Sequence, residues 1–272
     1  MPMVEVVGRL DELVDDNDHF EFFVFPHADA ALVKLHNRTD EPVRPPPGGS
    51  PSGWRSSWRT ERRGREQGRA PVPLPDPVAQ PCPHPADDAS DYVDHSYRVF
   101  ASRRSVRFTE MEVAVPRTAC ADVLAEIRRT IAARGLDVNF PIEVRFVAAD
   151  EKAHLSPSYG RETAYLAVHM YRGMKWRPYF RAVQDIALAH GGRPHWGKRH
   201  LLDADRSRAC TPAWDRFQTV APPARPARGV HERARTTRPR PGTGGRPRCW
   251  SVSCRRLPLW STRPRSTATS PP

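Results

Sequence analysis

The chain has 272 residues, and 43 lysines and arginines against 31 aspartates and glutamates give it a formal net charge of +12. No run of about 18 apolar residues is present, so the sequence predicts no transmembrane helix. The first residues, Met-Pro-Met-Val-Glu-Val-Val, lack the basic and apolar regions of a secretory signal peptide. We therefore expect a cytoplasmic protein, and the excess of cations raises the question of a nucleic-acid partner.

The net charge is distributed unevenly along the chain. It is −7 for residues 1–43, +2 for 44–90, +6 for 91–218 and +11 for 219–272. The second and fourth of these segments also contain 21 of the 30 prolines. Two chemically different kinds of sequence are therefore joined, and we divide the chain into residues 1–43, 44–91, 92–218 and 219–272.

The two proline-rich segments show neither helical nor strand periodicity. Three interpretations are open: a solvated linker and tail, an arginine-rich arm that binds nucleic-acid phosphates, and out-of-frame translation of a GC-rich gene. Four of the seven tryptophans lie in these segments, namely Trp54, Trp58, Trp250 and Trp260. Because disordered tails are ordinarily poor in aromatic residues, we favour a frameshift origin, with plain disorder second, and expect no nucleic-acid partner.

No metal site is predicted, and no disulfide framework. Five cysteines without framework spacing argue against a disulfide-stapled secreted domain. His190, His195 and His200 recur at five-residue intervals, which matches neither His-Glu-x-x-His nor a carboxylate-rich triad.

Hydrophobic periodicity predicts an α+β domain. Expected strands cover residues 20–25, 30–36, 106–115, 141–148 and 163–171, and expected helices cover 3–15, 118–134 and 178–190. Residues 193–200 follow as a short extended stretch or loop. From residue 106 onward, this order is the split βαβ, ferredoxin-like pattern, an antiparallel sheet with helices on one face.

Strand alternation assigns four polar residues to one face of this sheet. In the two strands at 141–148 and 163–171, the apolar side chains point one way, and Glu143, Arg145, Tyr165 and His169 point the other. If the helices cover the apolar face, these four residues lie together on the open face. This set is either a solvated sheet face with an exposed Glu–Arg pair or a functional site.

The stretch from Gly192 to His200, Gly-Arg-Pro-His-Trp-Gly-Lys-Arg-His, favours the functional interpretation. Together with the Glu143-x-Arg145 strand and the 163–171 strand, it resembles the C-terminal substrate domain of the sugar-1,4-lactone oxidases. That family includes D-arabinono-1,4-lactone oxidase, L-gulonolactone oxidase and the related alditol oxidases, flavoproteins of the vanillyl-alcohol oxidase type. The resemblance covers roughly residues 4–43 and 92–218.

The resemblance implies FAD as the cofactor and a sugar-1,4-lactone or alditol as the substrate, oxidised at a CH–OH group with oxygen or another acceptor. By that motif, Glu143 and Arg145 would hold substrate hydroxyls, and Lys198 would place positive charge near the flavin. His169 is either a base or substrate donor, or a packing histidine. The wall around the flavin would be formed by His195, Trp196, Gly197 and Lys198.

The chain also departs from the family pattern. No Gly-x-Gly-x-x-Gly follows a predicted strand, and the family's N-terminal FAD-binding domain has no counterpart. The arginine- and proline-rich segments stand where cap-domain sequence and the family's C-terminal motif are expected. We therefore expect a fragment that is inactive alone because the main FAD-binding domain is absent. A separate FAD-domain chain is an open option, and so, by family resemblance, is peripheral membrane association. The alternatives are a non-catalytic binding module and a basic-tailed nucleic-acid-binding protein.

Overall fold

The computed structural model describes residues 1–44, 91–100 and 107–220, and the backbone of residues 259–261. The interpretation of the proline-rich segment at 44–91 therefore lies almost wholly outside the described residues. The same holds for most of the 219–272 tail, including Trp250 and the cysteines at 249 and 254.

The strands of the described residues form one antiparallel sheet, and they differ in length. Its strands are β1 (His19–Val24), β2 (Ala31–Thr39), β3 (Val93–His95), β4 (Phe108–Pro116), β5 (Ile142–Val147), β6 (Thr163–Tyr171), β7 (Arg193–Pro194) and β8 (Leu259–Ser261). The strand order is β3-β8-β2-β1-β5-β6-β4-β7, and each neighbouring pair runs antiparallel.

Short helices alternate with these strands. They are α1 (Met3–Gly8), α2 (Leu10–Asp15), α3 (Ser96–Phe100), α4 (Cys120–Ala133), α5 (Arg177–Ala189), α6 (Ala204–Ala209) and α7 (Trp214–Val220), with a 3-10 turn at Arg117–Ala119 before α4. Within the described ranges, no helix is both long and apolar enough to cross a membrane.

The predicted ferredoxin-like unit is confirmed in β4-α4-β5-β6-α5-β7. Its strands stand in the order β7-β4-β6-β5, so each crossover helix connects two parallel strands that flank an antiparallel one. The chain is therefore an α+β protein, and strands β1 and β2 extend the sheet beyond β5.

A single hydrophobic core lies between the sheet and the helices. Helix α4 contributes Val123, Leu124, Ile127 and Ile131, which recur at helical spacing and are all buried. From the sheet come the alternate residues of the central strands, such as Val144, Leu166 and Val113. The other set of alternate residues, which is polar, lies on the opposite face.

Two predicted elements differ in detail. The helix expected at 3–15 is two helices, interrupted at Arg9 after the weak helix former Gly8. The tail, expected to lack regular structure, forms strand β8 between β2 and β3. Three residues are too few to show a periodicity, and this strand depends on backbone hydrogen bonds to the edges that β2 and β3 leave unpaired.

Helix α5 ends at a glycine pair that aims the following segment along the sheet. Gly191 has a φ of 70°, and Gly192 approaches the last turn of α5 so closely that a Cβ there would lie 2.5 Å from the carbonyl oxygen of Ala187. The Gly192 amide also donates a 2.7 Å hydrogen bond to that oxygen. Only glycine allows this approach.

We expect Gly192→Ala to lower the free energy of unfolding by about 1–3 kcal/mol, because the added methyl group forces the turn away from α5. Urea denaturation followed by circular dichroism measures the loss. Gly8→Ala is the matched control, since a Cβ there meets no atom within 4 Å. Equal stability of the two variants would contradict the close approach.

Candidate functional site

The structure places Glu143, Arg145, Tyr165 and His169 on the sheet face opposite the helices. Strand pairing sets Arg145 beside Tyr165 of β6 and Glu21 of β1. Glu143 and Arg145 of β5 therefore share one face of the sheet with Tyr165 and His169 of β6, as the alternation predicts, and with Glu21 of β1.

This face is less open than the sequence suggests. Glu143, Tyr165 and His169 are buried, whereas the Arg145 side chain is 41% exposed. Of the two interpretations, the solvated face with an exposed Glu–Arg pair is therefore wrong for the glutamate. Neighbouring strands supply further residues to this face, and these residues enclose the Glu143 carboxylate. They could not be assigned to the face from one strand alone.

Arg145 lies between two buried carboxylates. Its Nη2 donates a 2.7 Å hydrogen bond to Oε1 of Glu112, whose side chain is 3% exposed, and its Nε lies 3.7 Å from Oε1 of Glu143. Burial by itself lowers the pKa of Arg145, but Glu143 and Glu112 outweigh burial and raise it. Arg145 is therefore a permanent cation with one edge toward solvent.

Lys198 and His169 share a second carboxylate on β4. Lys198 Nζ lies 2.6 Å from Oε2 of Glu110, and His169 Nε2 lies 3.3 Å from Oε1 of the same residue. Burial favours a raised pKa for Glu110, but the His169 ring and the Lys198 ammonium beside the carboxylate lower the pKa to about 2. Glu110 is therefore ionised at any physiological pH.

The His-Trp-Gly-Lys stretch reaches this position because it is bound along the edge of β4. The amide of His195 donates to the Glu112 carbonyl at 3.0 Å, and the amide of Arg199 donates to the Glu110 carbonyl at 3.3 Å. Between these two anchors, the Gly197 amide donates to Nδ1 of His195 at 3.0 Å. The resulting turn places Lys198 beside the Glu110 carboxylate.

The remaining predicted wall residues face different partners. The rings of His195 and Tyr165 are 6.3 Å apart, so His195 borders the polar face. Trp196 packs instead against Trp214 of α7, with ring centroids 5.6 Å apart, and against His200. The structure thus brings His195 to the sheet face, whereas the Trp196 ring packs against α7.

The histidines spaced by five residues have separate environments. His190 pairs with Glu126 of α4 at 3.0 Å, whereas His195 faces Tyr165 and His200 faces Trp196. In the part of the chain that the structure describes, no group of three or more His, Cys, Asp or Glu residues is placed to hold a metal ion.

Sequence reasoning missed four charged residues of this face: Glu21, Lys34, Glu110 and Glu112. Lys34 of β2 lies 2.6 Å from Glu21 of β1, and this pair continues the row that contains Arg145. A signal was present for the other two, because Glu110 and Glu112 are two apart in a predicted strand and must share a face. Their partners could not be assigned without the strand register.

We call these residues the charged face: Glu21, Lys34, Glu110, Glu112, Glu143, Arg145 and Lys198, with His169 behind them. Within this set four carboxylates meet three cations, and Arg193 of β7 lies on the same face through its pairing with Ala114. The described residues thus form an α+β domain with a half-buried ionic network on the sheet face opposite its helices.

The comparisons with known proteins identify the family. The family model described as D-arabinono-1,4-lactone oxidase matches residues 1–229, and the chain belongs to that family.

Among curated relatives, L-gulono-1,4-lactone dehydrogenase of Mycobacterium tuberculosis is 42% identical over 218 residues, which are 80% of this chain and 51% of that protein. L-gulonolactone oxidase of Scyliorhinus torazame is 28% identical over 223 residues, covering 80% of this chain and 50% of that protein. The chain thus spans about half the length of these relatives. A solved structure, solvent-stable cholesterol oxidase, aligns with a TM-score of 0.46 at 14% identity, over 80% of this chain and 56% of that one.

The lowered pKa of Glu110 predicts a pH-dependent stability difference. Because its folded pKa of about 2 lies below the unfolded value near 4.5, Glu110 contributes stability above about pH 4.5 and loses it as the pH falls toward 2. We expect Glu110→Gln to lower the free energy of unfolding by on the order of 2 kcal/mol at neutral pH. The difference from the native chain should shrink as the pH falls from about 4.5 toward 3.

Guanidinium denaturation at several pH values measures this difference. The control is Glu151→Gln, which removes an exposed carboxylate and should change stability by no more than about 0.5 kcal/mol at neutral pH. A Glu110→Gln deficit that stays constant through the acid range is the contradicting outcome.

Proposed function

We propose that this chain forms the substrate-side domain of an FAD-dependent oxidoreductase that oxidises a CH–OH group of a sugar-1,4-lactone. The observation that carries the proposal is the charged face, on which Arg145 and Lys198 each retain exposure while they pair with the buried Glu112 and the half-buried Glu110. Family membership and the names of the relatives support a lactone as the substrate class.

The exposed ends of the two cations suit a polyhydroxylated ligand. Arg145 uses Nη2 and Nε toward Glu112 and Glu143, which leaves Nη1 without a hydrogen-bond partner among the described residues. Lys198 is 29% exposed and has three donors, of which Glu110 takes one. These free donors are suited to the ring and chain oxygens of a lactone.

The pairing of both cations with carboxylates favours a neutral ligand over an anion. A sugar-1,4-lactone is uncharged, whereas its hydrolysed open-chain acid bears a carboxylate. With buried carboxylates of Glu112 and Glu143 beside Arg145, a further negative charge is repelled at close range and low dielectric. The face thus discriminates between the lactone and its own hydrolysis product.

The described residues fit one end of a flavin and leave the rest to other parts of the protein. FAD supplies a hydride acceptor for the carbinol carbon. Lys198 would hold the pyrimidine end of the flavin by its charge, and His195 borders the same face. The described residues contain no glycine-rich loop between a strand and a helix to hold the pyrophosphate. We therefore propose that a further FAD-binding domain or chain completes the site, and that this chain alone is inactive.

Lactone binding tests the proposal directly. Titration calorimetry of the chain with L-gulono-1,4-lactone should show binding, and Arg145→Met should weaken it about tenfold or more, because a charged hydrogen-bond donor is lost. Arg181→Met, which alters an exposed arginine on α5 across the sheet, should bind the lactone as the native chain does. Sodium L-gulonate should bind more weakly than the lactone. Equal affinity of both arginine variants, or preference for the acid, would count against the charged face as the site.

Flavin retention tests the need for a further domain. After incubation with FAD and gel filtration, we expect the chain to retain little flavin and to form no peroxide with the lactone. Retained flavin together with lactone-dependent peroxide would contradict that need. Lactone binding that persists after a flavin-binding domain has been supplied, with no reduction of the flavin, would favour the second candidate, a non-catalytic binding module.

A further inference from the structure

Glu110 joins a partly exposed and a buried polar side chain of the charged face. Side-chain exposure falls from 29% at Lys198, through 15% at Glu110, to 4% at His169. Each carboxylate oxygen of Glu110 faces one partner, Oε2 toward Lys198 and Oε1 toward His169. Among the contacts of the described residues, Glu110 thus connects Lys198 to His169.

His169 is held in one ring orientation by aromatic neighbours. Phe140 stacks on the imidazole with centroids 5.0 Å apart, and Phe108 meets it edge-on at 4.9 Å. Both ring nitrogens are buried and lack a hydrogen-bond partner among the described residues, because the 3.3 Å approach of Nε2 to Glu110 does not have hydrogen-bond geometry. A buried imidazole with no exposed nitrogen is poorly placed to touch a substrate.

We propose that Glu110 is a positioning residue: it holds the Lys198 ammonium at the substrate side and fixes His169 behind it as the Nε2–H tautomer. An ionised carboxylate repels the lone pair of an unprotonated nitrogen, so the proton of a neutral imidazole belongs on Nε2, which faces Oε1. His169 then affects the site through its contact with Glu110 and does not serve as the catalytic base. The role in catalysis rests on the proposed function, whereas the tautomer follows from the contacts alone.

The amide variant Glu110→Gln separates this role from packing. An ammonium has donors and no acceptor, so Lys198 requires the single amide oxygen of Gln. The amide NH2 is then directed at His169 Nε2, which must become an acceptor. The proton therefore moves to Nδ1, and the substitution should switch the tautomer while it preserves the shape of the side chain.

Nitrogen-15 NMR correlations of the His169 ring distinguish the two tautomers. We expect Nε2–H in the native chain, Nδ1–H in Glu110→Gln, and Nε2–H again in Glu110→Asp, which retains the charge. Glu126→Gln is the matched control, because Glu126 pairs in the same way with His190 on the helical side. That variant should leave His169 unchanged.

Nδ1–H in the native chain, or an unchanged His169 tautomer in folded Glu110→Gln, would overturn the proposal. If Glu110→Gln does not fold, the His169 tautomer in the native chain and in Glu110→Asp still tests the proposal. Nδ1–H in either of these proteins contradicts it. Lactone calorimetry on the same variants gives a separate result: if the native chain binds no lactone, the proposed function fails, and the tautomer measurement still decides the role of Glu110.

Discussion

The pairing of two strand β4 carboxylates with two cations is the constraint on which the site depends. Glu110 and Glu112 are two residues apart on one face of β4, and they hold Lys198 and Arg145 respectively. Partly buried charges are costly unless each has a partner within hydrogen-bond distance. Both cations can be partly desolvated only because these carboxylates are placed beside them, so the register of β4 controls the chemistry of the whole face.

The fold provides that register through its crossover connections. In the split βαβ unit, β4 lies between β6 and β7, so one strand is bonded to His169 on one side and to the His-Trp-Gly-Lys stretch on the other. The Gly191-Gly192 turn ends α5 and directs the chain to the edge of β4. The helices pack against the opposite face, so the polar alternate residues lie on the face that the helices do not cover.

Under the proposed function, the charged face accounts for a preference for a neutral polyol-like ligand over an anion. Its cations are already paired, so they offer hydrogen-bond donors without a net positive field. The large formal charge of the whole chain is therefore a misleading guide to the site. Most of that charge lies after residue 218, whereas the cations Arg145 and Lys198 of the charged face are paired with carboxylates.

The sequence by itself determined the α+β class, the order of the elements from β4 to β7 and the face that Glu143, Arg145, Tyr165 and His169 share. These properties follow from local periodicity, because side chains alternate along a strand and recur every three to four residues along a helix. The helix break at Arg9 and strand β8 were not determined, since an interruption of one residue and a strand of three residues leave almost no periodic signal.

Only the tertiary structure decided which charges meet. Glu110 contacts His169, which is 59 positions away in the chain, and Lys198, which is 88 away; no local pattern specifies such pairs. It also decided that His169 is buried and that Trp196 faces Trp214 rather than Lys198. The physical reason is that ion pairing and burial depend on strand register and on packing between distant segments, which a linear pattern does not encode.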